Sequence, residues 1–350
     1  YRELAFAPAG EAVIAGSLGQ MEAEFSQKNS LNGEKANEII QRKQPKFAMV
    51  QRLIGFTPEE GFEFESGLDP QQEPFLRDHA RNGIPLLPGV MGVEAFVEAA
   101  QVLTEVLAGK ANGLALDYLD DVHFLAPLKF YRDKPRRFTL KARAIPEDGG
   151  LCVNVRLESF LARFERQAET VLHFSGRVHL QPEVNGTLSK LSSPQWREDG
   201  IVTAEEIYRL YFHGPAFQVL EGVQNAEGGV LGKMNPQLPS LVNADKTLLT
   251  NPRALELALQ TAGVWEVATT DTLALPSSIG WLKLYPEAKL SELLFAEVQL
   301  EKGGDDALSF SARVVNASGN LALELRDYRT TPLPFQTEAE LIAPFKRLVV

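Results

Sequence analysis

His79 has the type and setting best suited to acid-base chemistry in this sequence of 350 residues. It follows Asp78 and precedes a glycine- and proline-rich loop that leads into an apolar helical run. Gly83 and Gly89 can adopt a positive φ or allow close approach of a substrate, and Pro88 suits the start of a helix, whose first N–H groups can hold a carbonyl oxygen. The residues alone predict either a catalytic base or a loop histidine satisfied by hydrogen bonds.

The other histidines and the single cysteine favour structural roles. Three histidines stand in strand-like segments and are predicted to be sheet residues: His123, His173 and His179. His213 precedes Gly214-Pro215 and is predicted to be a turn residue. Cys152 lies in an alternating run, which predicts a buried strand thiol in a reducing compartment and excludes an intramolecular disulfide. No pair of residues has metal-ligand spacing, so the sequence predicts no metal site.

The composition is that of an ordinary globular protein, with 44% hydrophobic and 23% charged residues. The net charge of −11 disfavours nucleic acid as a partner. No run reaches the roughly 18 apolar residues of a membrane span, and no signal peptide is recognisable, so we expect a cytoplasmic protein that does not bind membranes. The absence of an initiator Met indicates a piece of a longer polypeptide or a processed chain.

The order of predicted elements recurs in the two halves of the chain. Each half has one apolar helix, at Val93–Leu107 and at Arg253–Ala268, among several strands. Strands are predicted at 47–50, 61–66, 114–131, 136–145, 151–160, 168–181, 276–285, 291–301, 307–316 and 319–330, with a strand-rich segment at 211–232. The predicted organisation is an N-terminal linker or domain edge (1–45), a first unit (46–181), an interdomain linker (182–200), a second unit (201–335) and a C-terminal tail (336–350). Two similar halves predict a fused pseudo-dimer.

Four motifs in order carry a resemblance to a known family. His79, Gly83 and Pro88 resemble the His-x3-Gly-x4-Pro motif of dehydratase domains in polyketide synthases and polyunsaturated fatty acid synthases. The segment 211–218 is similar to their Tyr-x-x-Gly-Pro-x-Phe motif, 251–260 to His-Pro-x-x-Leu-Asp-x-x-x-Gln, and 275–279 to a further family segment. The resemblance covers residues 46–335 and implies an α+β double hotdog, in which each long helix is wrapped by a curled antiparallel sheet.

The resemblance also implies an activity, the loss of water from a 3-hydroxyacyl thioester. His79 from the first hotdog would take the α-proton, and Glu256 from the second, across the interface between them, would protonate the leaving hydroxyl. The acid role predicts a raised pKa for Glu256, in keeping with its apolar neighbours. The Gly89 N–H would hold the thioester oxygen, and Gln260 would orient the carboxyl group. The remaining predicted substrate-binding residues are Gly83, Pro88, Tyr211, Gly214 and Phe217.

Glu256 departs from the family pattern, which has Asp at this position. A Glu-x-x-x-Gln helix resembles that of stand-alone hydroxyacyl-carrier-protein dehydratases, so the acid role remains open to Glu256. Glu94 is a competing carboxylate because its helix start is similar. The presence of Glu in place of Asp also leaves an alternative function open. The chain would then be a non-catalytic acyl-binding double hotdog or a product-shaping cyclase or isomerase.

The implied partners are an acyl carrier protein and the other domains of the parent synthase, and a homodimer is left open. The protein would need no cofactor of its own, because the substrate is carried on the phosphopantetheine arm of the carrier. The densest basic run is the candidate docking patch for an acidic carrier: Lys129, Arg132, Lys134, Arg136 and Arg137. The alternative for this run is a solvated turn between strands.

Overall fold

The structure is a computed structural model that describes residues 31–43, 45–57, 59–108, 113–147, 149–161, 169–182, 190–285, 293–302, 308–334 and 338–349. Residues 1–30 of the predicted N-terminal segment lie outside these ranges. Within them, no helix combines the length and the apolar character needed to cross a membrane.

The two long helices and the long strands follow one another in the order that the sequence predicts, with additional short helices and strands between them. The helices are α1 Leu31–Arg42, α2 Pro74–Arg77, α3 Gly89–Ala108, α4 Ala204–Leu210, α5 Pro252–Thr270 and α6 Ala339–Ile342. The strands are β1 Lys46–Phe47, β2 Arg52–Thr57, β3 Gly61–Leu68, β4 Ala80–Arg81, β5 Ile84–Pro85, β6 Leu114–Phe124, β7 Arg136–Glu147, β8 Gly150–Leu161, β9 Glu169–Pro182, β10 Val202–Thr203, β11 Leu220–Ala226, β12 Gly229–Met234, β13 Lys246–Thr247, β14 Ala274–Leu284, β15 Leu294–Lys302, β16 Leu308–Asn316 and β17 Leu321–Pro332. Short 3-10 segments lie at Tyr131–Asp133, Pro215–Phe217 and Ala343–Val349.

The chain divides into two compact units. Unit 1 comprises Tyr1–Gln72, Met91–Asn185 and Val242–Thr250, and unit 2 comprises Glu73–Val90, Gly186–Leu241 and Asn251–Val350. The segment Glu73–Val90, which carries His79, is therefore grouped with the unit that contains Glu256, whereas the sequence assigned it to the first hotdog.

Unit 1 is an antiparallel sheet with one long helix. Its strands pair in the order β6-β9-β8-β7-β3-β2, and the short β1 pairs in parallel with β13. Helix α3 lies close to β9, and glycines on both elements leave space for phenylalanine side chains. A Cβ on Gly92 would lie 2.6 Å from the Phe174 ring, and one on Gly176 would lie 3.0 Å from the Phe96 ring.

The strand predicted at 47–50 is wrong beyond Phe47. Strand β3 pairs with β2, not with residues 47–50. The backbone N–H groups of Ala48, Met49 and Val50 instead donate to the buried carboxylate of Glu98, over 2.7 to 2.8 Å. Because a side chain takes these donors, the segment cannot continue a strand ladder.

Unit 2 repeats the arrangement of a helix and an antiparallel sheet. Its strands pair in the order β10-β11-β12-β15-β16-β17-β14, and α5 contacts β11, β12 and β14 to β17, so the sheet wraps around this helix. The Asn251 side chain caps α5 by accepting a hydrogen bond from the Ala254 N–H, and Pro252 occupies its first turn. The predicted α+β class is confirmed.

Two elements of unit 2 differ from the predictions. Helix α4 was not predicted, although Thr203 and Glu206 form a capping box that is visible in the sequence. Residues 338–349, predicted as a tail, are helical, and the side chains of Phe345 and Leu348 are buried. Their apolar side chains contribute to the core of this unit.

Candidate active site

The loop that carries His79 is a short hairpin between α2 and α3. Strands β4 and β5 pair across a turn at Asn82 and Gly83, whose φ values are 52° and 73°. The Leu86 N–H donates to the His79 carbonyl over 2.9 Å, and the Leu86 carbonyl lies 2.9 Å from Nδ1 of His79. The hairpin therefore fixes the imidazole by its own backbone.

The contact with Leu86 determines the tautomer of His79. A carbonyl oxygen only accepts hydrogen bonds, so Nδ1 must carry the proton and Nε2 keeps its lone pair. Burial lowers the pKa of His79 to about 4, and the charge of His213 adds to this effect while that of Glu256 opposes it. His79 is thus neutral at physiological pH, with Nε2 ready to accept a proton.

Asp78 holds the His79 loop against the segment 213–217. Its carbonyl accepts a hydrogen bond from the Gly214 N–H over 2.7 Å, and its carboxylate accepts one from the Ala216 N–H over 2.8 Å. A Cβ on Gly214 would lie 2.9 Å from Asp78, so only glycine fits this approach. The same contacts bring the rings of His79 and His213 to 5.4 Å between centroids.

Glu256 and Gln260 lie one turn apart on α5, and both are buried. Gln260 Nε2 donates to Glu256 Oε1 over 2.7 Å and to the Phe217 carbonyl over 2.9 Å. Gln260 Oε1 in turn accepts a hydrogen bond of 2.8 Å from the Tyr208 hydroxyl, which itself accepts one of 2.8 Å from the Leu220 N–H. A chain of hydrogen bonds therefore fixes the carboxyl group, and Gln260 is the member of this chain that contacts it.

His213 belongs to this cluster, although the sequence predicted only a turn residue. Its Nε2 lies 3.3 Å from Glu256 Oε1, and the two side chains are only 10% and 9% exposed. The available signal was its position within the motif similar to Tyr-x-x-Gly-Pro-x-Phe. Asp78 and Tyr208 were also missed, because their partners lie far away in the sequence.

The pKa of Glu256 is shifted in the direction opposite to the prediction. Burial by itself raises the pKa of this carboxyl group, but the hydrogen bond and charge of His213 outweigh it, with help from His79 and Gln260. The pKa consequently lies below its ordinary value. The apolar neighbours named in the prediction act in the expected direction, but the two histidines decide the balance.

The remaining predicted site residues fall into two groups. Phe217 and Tyr211 lie beside the histidines, with ring centroids 5.6 Å from His79 and 5.8 Å from His213, respectively. The Tyr211 hydroxyl approaches Gly263 of α5, where a Cβ would lie 2.6 Å from it. Burial, and then the charge of Glu266, raise the pKa of Tyr211.

The glycines and the proline of the His79 loop shape the backbone. Gly83 forms the exposed tip of the hairpin, with no other group within 4 Å of the position of a Cβ. Pro88 is buried immediately before α3, and Gly89 is the first residue of that helix. Because the first N–H groups of a helix lack intrahelical partners, the Gly89 amide is free of the helix ladder.

Glu94, the competing carboxylate, has its oxygens engaged in unit 1. It accepts hydrogen bonds from the N–H groups of Leu249 and Thr250, over 2.6 and 2.9 Å, and from the Thr250 hydroxyl. These contacts anchor the loop that carries Leu249 and Thr250.

A second cluster of reactive side chains lies in unit 1. Strand pairing places Cys152 opposite His179, and together with Glu147 these residues could hold a metal ion. The sequence predicted no metal site, because cross-strand neighbours have no characteristic spacing. Both ring nitrogens of His179 lie 2.9 Å from carboxylates, those of Glu147 and Asp120. Burial, and then the Glu147 charge, raise the pKa of Cys152 to about 12, which disfavours the thiolate.

The basic run predicted as a docking patch follows β6 and enters β7. Arg132 and Lys134 are exposed in the turn, and Arg137 is an exposed partner of Glu65. The Arg136 side chain is turned toward the protein, where it donates to the Lys129 carbonyl and the Ser159 hydroxyl over 2.9 and 2.7 Å. The run therefore offers fewer free cations than its sequence suggests.

Family models match both halves of the chain. The model described as "Polyketide synthase dehydratase domain" matches residues 51–156, and "Polyketide synthase dehydratase N-terminal domain" matches residues 203–340. Polyketide synthase PksN of Bacillus subtilis is 22% identical over 262 residues, and PksM of the same organism is 26% identical over 181 residues. These stretches cover 73% and 50% of this chain, which spans only 5% and 4% of the two relatives.

Solved structures share the fold. The dehydratase domain from the CurF module of curacin polyketide synthase has a TM-score of 0.62 at 20% identity, covering 81% of this chain and 98% of that one. Two similar structures are described as inactive variants, a His-to-Phe variant of CurJ dehydratase and an Asp-to-Asn variant of CurK dehydratase. Their TM-scores are both 0.61, at 17% and 19% identity, and they cover 83% and 81% of this chain and 96% and 98% of their own. The predicted double-hotdog fold is confirmed.

Proposed function

Because this chain belongs to the dehydratase domains of polyketide synthases, we propose that it removes water from 3-hydroxyacyl thioesters to give 2-enoyl thioesters. The substrate would be carried on the phosphopantetheine arm of an acyl carrier protein, with the other domains of a parent synthase as further partners. The observation that carries the proposal is the cluster of a neutral His79 with a buried, oriented Glu256.

His79 is the proposed base. The Nε2 lone pair is left available because Nδ1 faces the Leu86 carbonyl, and the low pKa keeps the ring unprotonated in the resting protein. The α-proton of a thioester is weakly acidic, so the developing enolate needs hydrogen-bond donors at the thioester oxygen. The Gly89 amide at the start of α3 is the proposed donor.

Glu256 is the proposed acid. His79 Nε2 takes the α-proton, the electron pair of that C–H bond becomes the Cα=Cβ bond, and the Cβ–O bond breaks. The departing oxygen takes a proton from the Glu256 carboxyl group and leaves as water. Gln260 supports this role because its amide holds Oε1 in place. The inactive His-to-Phe and Asp-to-Asn variants of relatives change the same two kinds of group.

The test is mass spectrometry of a 3-hydroxyacyl carrier protein incubated with the purified chain. We expect the acyl group to lose the mass of one water with the wild-type protein, and about 10² to 10⁴ times more slowly with His79→Phe. His123→Gln is the matched control, because His123 is a partly exposed histidine on β6 of unit 1. Turnover of His79→Phe within about tenfold of the wild type would assign the base to another residue.

The same assay distinguishes dehydration from the alternative function, that of a non-catalytic or reprogrammed double hotdog. The observation that favours this alternative is the longer Glu256 with a lowered pKa where relatives have Asp. A wild-type chain that binds the acylated carrier and releases no water would be an acyl-binding module. Conversion without loss of water would indicate a cyclase or isomerase.

A further inference from the structure

The contact between His213 and Glu256 raises the question of where the acid proton resides. Glu256 is buried and the His213 side chain is only 10% exposed, and Nε2 of His213 faces Glu256 Oε1 at 3.3 Å. The other ring nitrogen, Nδ1, is enclosed and has no hydrogen-bond partner in the described part of the chain. Because the ring stacks on Phe212, with centroids 4.5 Å apart at an interplanar angle of 18°, its orientation is fixed.

These two features have opposite effects on the protonation of the imidazole ring. The carboxylate favours a doubly protonated ring, because a hydrogen bond to a charged group is stronger than a neutral one. The enclosed Nδ1 disfavours it, because the added N–H would be a buried donor without an acceptor. The two effects are of the same order, so a proton can pass between His213 and Glu256 at little cost.

The hydrogen bonds of Glu256 distinguish its two carboxyl oxygens. Oε1 accepts from Gln260 and faces His213, whereas Oε2 has no hydrogen bond from any residue in the described ranges. Oε1 is therefore the carboxyl oxygen that can receive a proton from His213. The other titratable groups around the pair are His79, Tyr208, Tyr211, Glu266 and Tyr328, and the Asp78 carboxylate is engaged by the Ala216 N–H.

We propose that His213 is the positioning residue of the acid, and that the His213–Glu256 pair shares one proton, which rests on the imidazole and crosses to the carboxyl group when the hydroxyl leaves. This inference rests on the proposed dehydration. The proton moves from His213 Nε2 to Glu256 Oε1, and the departing oxygen takes it from this oxygen and leaves as water. The α-proton remains on His79 and returns through solvent to the pair, which restores the resting state. Every proton is accounted for, and no other reactant is needed.

The first experiment measures the NMR signals of the His213 ring in the resting protein and does not depend on turnover. In the full chain labelled with ¹⁵N-histidine, the His213 signals are assigned by their loss in His213→Gln. We expect the proton on His213 Nε2 to be shared with Glu256 in the wild type, and the His213 ring signals to differ in Glu256→Gln, which keeps the size but removes the charge. The His123 signal is the internal control and should not change. Equal His213 signals in the wild type and in Glu256→Gln would overturn the shared proton.

The second experiment distinguishes a proton-holding role from a merely structural one. His213→Gln can still donate to Glu256 but cannot hold the proton, so we expect the alkaline limb of the kcat profile to move to lower pH. A structural role would lower kcat equally at all pH values, and that result would overturn the inference. If the wild type shows the shared proton but no loss of water, the proposed function fails and the proton-sharing pair stands.

Discussion

Gln260 donates a hydrogen bond of 2.7 Å to Glu256, the residue one turn earlier on the same helix. Each polar atom of the Gln260 amide group has a partner, since Nε2 also reaches the Phe217 carbonyl and Oε1 accepts from Tyr208. A buried amide with all its partners in place has one orientation, because turning it over would set its oxygen against the Glu256 carboxyl oxygen and the Phe217 carbonyl, which are both acceptors. Gln260 therefore presents the Glu256 carboxyl group in a fixed position.

Tyr208→Phe tests this network without touching the carboxyl group. The hydroxyl that faces both Gln260 and the Leu220 N–H would be lost, leaving a buried acceptor and a buried donor unpaired. We expect the free energy of unfolding to fall by about 1 to 3 kcal/mol and turnover to fall by roughly tenfold. Urea denaturation and the dehydration assay measure the two effects. Tyr131→Phe, at an exposed ring, should change stability by less than about 0.5 kcal/mol. Unchanged turnover in Tyr208→Phe would show that Gln260 keeps its place unaided.

Glu256→Asp introduces the residue type of the family motif on a shorter arm. The contacts of Glu256 with Gln260 and His213, at 2.7 and 3.3 Å, are made with the longer side chain, so an Asp carboxyl group would fall about 1 Å or more short. We expect turnover to drop by about 10²-fold, a loss typical of misplacement on this scale. Steady-state kinetics with the acylated carrier measure it. Wild-type turnover would mean that α5 shifts to accommodate Asp.

The low pKa of His79 makes the stability of the fold depend on pH. Between about pH 6.5 and pH 4 the unfolded chain binds a proton at this residue and the folded chain does not, so stability decreases as the pH falls through this window. We expect the loss of unfolding free energy across the window to be smaller in His79→Phe than in the wild type, by on the order of 1 to 3 kcal/mol. Chemical denaturation at several pH values gives both slopes. Glu94 and Glu98 act in the opposite direction, because burial raises the pKa of both, but they are the same in the two proteins. Parallel slopes would contradict a buried neutral His79.

Glu98→Gln should destabilise unit 1. The carboxylate accepts three backbone N–H groups through its two oxygens, and an amide in its place would set an NH₂ group against at least one of them. We expect a loss of about 1 to 3 kcal/mol in thermal or urea unfolding. The control is Glu105→Gln, a change at a partly exposed carboxylate on the same helix, for which a change below about 0.5 kcal/mol is expected. Equal stability of the two variants would show that Glu98 does not stabilise unit 1 through its hydrogen bonds to residues 48–50.

Features that depend on near neighbours in the chain could be predicted from the sequence. The helical spacing of α3 and α5, the alternation of the long strands and the Glu-x-x-x-Gln turn all follow from local backbone geometry, and the structure contains each of them. The motif around His79 and its family resemblance are likewise read from short stretches. This local information was sufficient for the α+β class and for the family.

Contacts between distant segments were decided by the tertiary structure. His213 meets Glu256, the Asp78 carboxylate meets the Ala216 N–H, and residues 48–50 donate to Glu98 instead of extending a strand. None of these partners is marked by spacing, because loops and strands far apart in sequence meet only through packing. The direction of the Glu256 pKa shift depends on such contacts: burial alone would raise it, and two histidines brought in from distant segments lower it. Local sequence could identify the carboxyl group, but its protonation depends on the charges that folding places around it.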